Sequence, residues 1–221
     1  METTTMSPNT DDVQKYWDKN AAAFDSLYDS RGFAERAFNK VFRRALFDRV
    51  AKTAKRIVET KANARVLDVG CGSGRTSIPL AKAGAGHVTG VDFAPQMIEL
   101  AKAAAKEAGV ADKTEYMVGD FSKHDFGGKF DVVVALGVFD YVDDAVPFLK
   151  RMLELTENDA IFSVPKPSLV RANLRKYRYG RHNVNVHFYT EKGIRELCEK
   201  AGVKRVEIDP IPAGYLVYAR G

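Results

Sequence analysis

From residue 64 to the end, the chain alternates between short apolar runs and amphipathic stretches, and this rhythm limits the possible folds more than any other feature. "ARVLDVG", "HVTGVD", "TEYMVGD", "FDVVVALGV" and "DAIFSVP" are short runs with the composition of strands buried on both faces. "GRTSIPLAKAG", "APQMIELAKAAAKEAG" and "DAVPFLKRMLELT" lie among them, and "TEKGIRELCEKAG" follows, all with helical patterning; Gly84 and Gly109 read as helix stops. Such alternation predicts an α/β, doubly wound, mostly parallel sheet with helices on both faces. The last two strands, "RVEIDPI" and "GYLVYAR", have no helical stretch between them. They are expected to form an antiparallel hairpin at the C-terminal edge of a seven-stranded sheet.

The first 58 residues read differently. Residues 1–9 are a polar tail, and Thr10-Asp11-Asp12 reads as a helix start, with acids at the positive end of the helix dipole. Val13, Trp17, Phe24 and Tyr28 follow at roughly helical spacing. A second helix from Ser30 places Phe38, Phe42, Leu46, Val50, Ala54 and Ile57 about four apart, an apolar stripe. The expected organisation is a tail and N-terminal helical cap over 1–58 and an α/β domain over 59–221, with a basic insertion at about 166–189.

Composition narrows the class. With 221 residues, 45% of them hydrophobic, the chain can bury one real core. It has no apolar run long enough to span a bilayer, and its polar start is unlike a signal peptide. Two cysteines, Cys71 and Cys198, argue against a disulfide framework, so a cytoplasmic protein is expected. No Cys/His cluster has zinc spacing, and no metal is expected. The net charge of +5 is uneven: residues 31–56 hold nine Lys/Arg against two Asp/Glu, and residues 165–182 hold six Lys/Arg and no acid. The body is therefore mildly acidic, which disfavours a general nucleic-acid binder. The two basic segments are either solvated surface or a device that recruits an anionic substrate.

The ligand signal is "VLDVGCGSGR", where a strand ends in Gly70, Gly72 and Gly74. A loop without side chains lets backbone N–H groups approach a ligand closely. Asp92, in "GVDFA", stands at the end of the second strand, where a carboxylate can accept hydrogen bonds from both ribose hydroxyls. Dinucleotide enzymes share that layout, but their G-x-G-x-x-G pattern needs a third glycine that Thr76 and Ser77 do not supply. A zwitterionic amino-acid tail does not need that turn, and Asp68 can receive its ammonium group.

With these residues the chain resembles the class I (Rossmann-like) S-adenosylmethionine-dependent methyltransferases: "VLDVGCGSGR", "GVDFA" and "VGDF" are similar to the first three motifs of that family. The resemblance covers roughly residues 60–165. It implies S-adenosyl-L-methionine as cofactor and S-adenosyl-L-homocysteine as product. It also implies that Gly70, Gly72 and Gly74 pass under the methionine and ribose, that Asp68 reaches the methionine end and that Asp92 holds the ribose hydroxyls. Phe93 would lie against the adenine, Asp120 and Phe121 beside it, and Leu136 and Gly137 near the transferred methyl. Tyr16 and Trp17 on the N-terminal helix are expected to close over the cofactor.

Methyl transfer from a sulfonium is an in-line displacement that needs alignment and desolvation, with a base only if the nucleophile must lose a proton. The best placed polar groups are Asp140 and Tyr141, in "GVFDYV" after the fourth strand. Many small-molecule members have a histidine hereabouts; Asp140 stands near that position instead. His187 is a further proton acceptor, and Tyr28, Arg171, Arg175 and Arg178 are expected to bind substrate, since arginine forks suit carboxylate or phosphate groups. A small or medium anionic acceptor, methylated at oxygen, is the leading expectation. The alternatives are an RNA or protein methyltransferase docking through the basic segments, a nucleotide-sugar or nicotinamide enzyme, and a non-catalytic cofactor-binding module. Oligomeric state is not legible.

Overall fold

The computed structural model describes residues 48–167, 186–212 and 214–221. Helix α1 (48–60) leads into β1 (Arg65–Val69), α2 (Ser77–Lys82), β2 (His87–Asp92), α3 (Pro95–Glu107), β3 (Thr114–Val118), β4 (Phe130–Leu136), α4 (Ala145–Leu155) and β5 (Thr156–Pro165). Helix α5 (Glu191–Ala201) and strands β6 (Arg205–Ile211) and β7 (Gly214–Arg220) complete the described chain. The sheet order is β3-β2-β1-β4-β5-β7-β6. The first five strands pair in parallel, whereas β7 is antiparallel to both β5 and β6. The expected seven-stranded sheet with its C-terminal hairpin is present. The hairpin's second strand enters the sheet, leaving β6 at the edge.

Alternation along the central strands distributes the core over two faces. All seven residues of β4 are buried. Val132, Val134 and Leu136 join Val66 of β1 against Val50 and Ile57 of α1, Leu80 of α2 and Ile98 of α3. Val133 and Ala135 join Leu67 and Val69 against Leu149 and Met152 of α4 and Ile194 and Leu197 of α5. Asp68 lies in register with Val66, so its side chain falls on the face that α1, α2 and α3 cover. Edge strand β6 carries Arg205, Glu207 and Asp209 at alternate positions, charges that discourage a further strand from pairing.

Helix α1 is fixed to the sheet by polar bonds as well as by its apolar stripe. Asp159, at the start of β5, is buried and accepts from Arg56 Nε at 3.0 Å, Arg220 Nε at 3.0 Å and Thr60 Oγ1 at 3.2 Å. Lys52 bonds Asp209 at 2.7 Å, Arg56 lies over the Tyr218 ring, and Lys61 bonds Asp131 at 2.6 Å. The end of α1 is thus held at the amino edge of the sheet. The described residues of α1 span about 20 Å, which carries Arg49 to the carboxyl edge. There Arg49 donates to Ser163 Oγ. Lys52 and Arg56, two of the cations in the basic segment 31–56, are therefore partnered within the fold.

Asp159→Ala should cost about 1–3 kcal/mol, because it removes the buried acceptor that Arg56, Arg220 and Thr60 share, although Arg56 keeps Glu207. Urea unfolding checks this, and a loss under about 0.5 kcal/mol, the scale of an exposed ion pair, would show that the clamp contributes little.

Candidate active site

The glycine loop follows β1 and hangs from the end of β2. Gly70 N–H and Cys71 N–H both donate to Val91 O, at 2.8 and 3.1 Å, and Gly72 N–H donates to Asp92 Oδ2 at 2.9 Å. Gly70, Gly72 and Gly74 all have positive φ, +64°, +53° and +81°. At Gly70 there is a second constraint: a Cβ would stand 2.6 Å from Val138 Cγ2, so the loop lies directly against the turn after β4. At Gly72 a Cβ would meet nothing within 4 Å among the described residues. Among them, that glycine answers only to its φ. Cys71 packs over Gly90, and burial pushes its thiol well above the ordinary range, so it is a structural residue.

Three charged groups surround this loop. Asp92 accepts from Gly72 N–H through one oxygen and from Ala94 N–H through the other, at 3.0 Å. A carboxylate accepts up to about four hydrogen bonds, so these two are compatible with a pair of ligand hydroxyls. Asp68 is buried and accepts from Ser77 Oγ at 2.5 Å. Burial pushes its carboxyl up to about 7; the Ser77 hydroxyl opposes the shift, the Asp92 charge adds to it, and Arg49 is near enough to lower it. Arg49 itself lies over Gly137, whose absent Cβ would come within 3.4 Å of Nη2. Ser163 Oγ binds both groups, accepting from Gly137 N–H at 2.9 Å and from Arg49 Nη1 at 3.5 Å.

The neighbouring loops complete the carboxyl edge. Gly119 N–H donates to Asp92 O at 2.9 Å, which sets Asp120 beside the end of β2. Asp120 accepts from Ser122 N–H at 2.9 Å. Phe93 packs with Ala94, Met97 and Leu100 in a small apolar group at the start of α3. The ring of Phe121 is in the core, 4.9 Å from that of Phe148. Leu136 is buried at the end of β4, and Gly137 turns the chain into Phe139–Tyr141, a single 3-10 turn. Asp140 is buried in that turn, and Tyr141 is half-buried. His187 N–H donates to Asp140 O at 2.8 Å, and His187 Nε2 lies 2.9 Å from Asp143 Oδ1.

Asp68, the three glycines, Asp92, Asp120, Leu136, Gly137, Asp140 and Tyr141 therefore gather at one sheet edge, around the β1/β4 switch point. Tyr16, Trp17, Tyr28, Arg171, Arg175 and Arg178 lie outside the described residues. Among the described residues, sequence reasoning missed Arg49, Ser77, Ser163 and Asp143. Arg49 reads as one more cation of a basic helix, and its partner Ser163 is 114 residues away. Only Ser77, directly after the loop, had a local signal. Also among the described residues, no three His, Cys, Asp or Glu side chains gather as a metal site.

The donor set defines a class of ligand. A cation beside a buried carboxyl suits a zwitterion, and a carboxylate at the end of β2 suits a diol. A pyrophosphate over the loop would instead stand near the Asp68 carboxyl without the third glycine of its usual turn. An open, doubly wound sheet with this loop and this charge set is the architecture of the Rossmann-like methyltransferases. The comparisons agree with that class. Residues 66–159 match a family described as a methyltransferase domain. The ubiquinone biosynthesis O-methyltransferase of Azorhizobium caulinodans is 45% identical over 101 residues, 45% of this chain and 39% of that protein. The ribosomal protein L11 methyltransferase of Dechloromonas aromatica is 49% identical over 70 residues, 32% of this chain and 22% of that protein. The chain spans less than half the length of the curated relatives it matches. Magnesium protoporphyrin IX methyltransferase from Synechocystis PCC 6803, crystallised with bound SAH, shares the fold at 22% identity. Its TM-score is 0.74, over 96% of this chain and 100% of that one. Residues 66–159 thus match a methyltransferase domain, set in a Rossmann-like fold shared with a structure that holds SAH.

The raised Asp68 carboxyl has a sign that can be checked without ligand. Between the usual carboxylate range and about pH 7 the native state keeps a proton that the unfolded chain has lost, so Asp68 destabilises the apo protein increasingly as pH rises through that window. Asp68→Asn, which mimics the neutral acid, should gain stability relative to the wild type between pH 5 and pH 8. Thermal unfolding of both across that range decides it; a constant difference would contradict the raised carboxyl.

Proposed function

We propose that this chain transfers a methyl group from S-adenosylmethionine to an oxygen of a small or medium, anionic acceptor. The observation that carries the cofactor half is the charge order around the glycine loop, with Arg49, Asp68 and Asp92 along one edge. In this reading Arg49 receives the methionine carboxylate, and Asp68 with Ser77 receives the ammonium group. Asp92 receives the ribose hydroxyls, and the apolar group of Phe93 and Met97 lies beside the adenine, with Asp120 at its amino group. Leu136 and Gly137 border the reacting end, and Tyr16 and Trp17 close over it.

Bound there, S-adenosylmethionine supplies an electrophilic methyl on a sulfonium. The protein's own contribution is alignment, exclusion of water and removal of the acceptor's proton. Asp140, Tyr141 and His187 border the turn after β4 and are the groups proposed to handle that proton. Tyr28, Arg171, Arg175 and Arg178 are proposed to bind the acceptor's anionic group.

A small acceptor is supported by the names of several relatives, ubiquinone biosynthesis O-methyltransferases. A macromolecular acceptor is the second reading, because relatives also include a ribosomal protein methyltransferase and a 23S rRNA methyltransferase. Against it, Lys52, Arg56 and Lys61 each bond an acidic group of the fold and so do not form a free cationic face. No helix among the described residues is long and apolar enough to cross a membrane.

The test is transfer of labelled methyl from S-adenosylmethionine into fractionated host extract, with Asp92→Ala as the blank. Label in the small-molecule fraction is expected; label in RNA or protein would replace this acceptor with the second reading. Asp92→Ala should weaken cofactor binding by more than ~1.5 kcal/mol, since it removes both the diol acceptor and the pin on Gly72. Arg175→Ala with Arg178→Ala should raise the acceptor's KM and leave cofactor affinity unchanged; unchanged acceptor kinetics would remove these arginines from the site.

A further inference from the structure

The segment 186–190, just before α5, is tied back by three bonds, two onto the turn after β4 and one onto the end of β5. His187 N–H donates to Asp140 O at 2.8 Å, Tyr189 OH donates to Phe139 O at 3.3 Å, and Tyr189 N–H donates to Pro165 O at 2.9 Å. These bonds fix the backbone on either side of the His187 ring. The ring is then fixed by a fourth contact, Nε2 to Asp143 Oδ1 at 2.9 Å. A carboxylate has no proton to give, so Nε2 carries a hydrogen, and in the neutral ring Nδ1 carries the lone pair. His187 and Asp143 are each about a third exposed, at 35% and 37%, so the pair is open to a ligand.

The pair's position is as informative as its geometry. It borders the same turn that meets the glycine loop, through Val138 against Gly70. The other titratable groups on the elements that meet here are Asp140, Tyr141 and Asp144 on the turn and Tyr189 on His187's own segment. Burial, together with the Asp140 charge, pushes the Tyr189 phenol up to about 12, which removes it as a base near neutrality. In its neutral form the His187 imidazole, oriented by Asp143, presents its Nδ1 lone pair as a proton acceptor.

We propose that Asp143 and His187 form a dyad in which Asp143 is a positioning residue and Nδ1 of His187 takes the proton from the acceptor hydroxyl. In that step the acceptor O–H bond breaks and its proton passes to Nδ1. The oxygen forms the bond to the methyl carbon, and the carbon–sulfur bond breaks with its electron pair retained by sulfur. One positive charge is lost at sulfur and one appears on the imidazolium beside Asp143, so the charge balances. This deepens the oxygen-acceptor reading above and rests on it for the base role; the tautomer does not depend on the acceptor.

Two measurements test it. The first is the ¹⁵N spectrum of histidine-labelled apo protein, with the His187 signals assigned by their loss in His187→Gln among the chain's four histidines. The Nε2–H tautomer is expected in the wild type, and a mixture of tautomers in Asp143→Asn. An Nδ1–H tautomer in the wild type would overturn the dyad. The second uses the small-molecule extract fraction that the wild type labels. Glutamine at 187 can still donate to Asp143 but cannot act as a base. His187→Gln is expected to label that fraction about 100-fold more slowly at pH 7, with S-adenosylhomocysteine affinity unchanged. The deficit should shrink as pH rises towards ionisation of the acceptor itself. Asp143→Asn should lose about tenfold, in kcat rather than KM, and Asp143→Glu should recover part of it. Labelling by His187→Gln at the wild-type rate would overturn the base role. If the wild type labels no small molecule, the acceptor reading and the base role fail together, while the tautomer still decides the dyad.

Discussion

The site depends on how the loop after β1 is held. Its first two N–H groups share one carbonyl, Val91 O, and the third bonds Asp92 Oδ2. The loop is therefore a rider on β2 and inherits the register of the β1–β2 pair, in which Asp68 lies opposite Gly90 and Val69 opposite Val91. This explains why Asp92 has to be an acid at the end of that strand, whatever it also offers a ligand. It also explains the crowding at Gly70, which is pressed against Val138 on the far side. Shifting β2 by one residue would leave the loop's N–H groups without these acceptors and would turn Asp92 to the other face.

Helix α1 adds the cation. It is clamped at the amino edge by Asp159 and Asp131, each of which gathers partners from distant parts of the chain. With that end fixed and the apolar stripe of Val50, Ala54 and Ile57 buried, the helix can deliver Arg49 only to the carboxyl edge. A guanidinium near a buried carboxyl is stable where each has further partners, and Ser163 and Ser77 supply them. A structural clamp at one end of the helix thus sets the electrostatics of the site at the other.

The sequence was most legible where the chemistry is local. The apolar runs locate β1 to β4, and the glycines locate the loop because few other residues adopt three such φ values in so short a run. Thr190 and Gly202 bound α5 as a cap and a left-handed stop. It was least legible where distant partners change the meaning of a residue. The sequence pattern ends the helix at Thr156 and starts the strand at Asp159, yet β5 begins at Thr156 with no break from the helix. Its polar residues are strand residues because Arg56, Thr60 and Arg220 bond Asp159, and the Thr156 hydroxyl bonds the carbonyls of Asp131 and Asp159. The hairpin of β6 and β7 was expected, but not that β7 would be the strand to pair with β5. Asp143 reads as the start of a helix, while its partner His187 is 44 residues away.

The central claim is that the loop, Asp68, Arg49 and Asp92 are built for the zwitterion and diol of S-adenosylmethionine rather than for a pyrophosphate. Its most direct measurement is calorimetric titration of the apo protein with S-adenosylhomocysteine and, separately, with NADH. Saturable one-to-one binding of S-adenosylhomocysteine, with no heat from NADH at the same concentration, is the predicted result. Binding of NADH with none of S-adenosylhomocysteine would contradict the account.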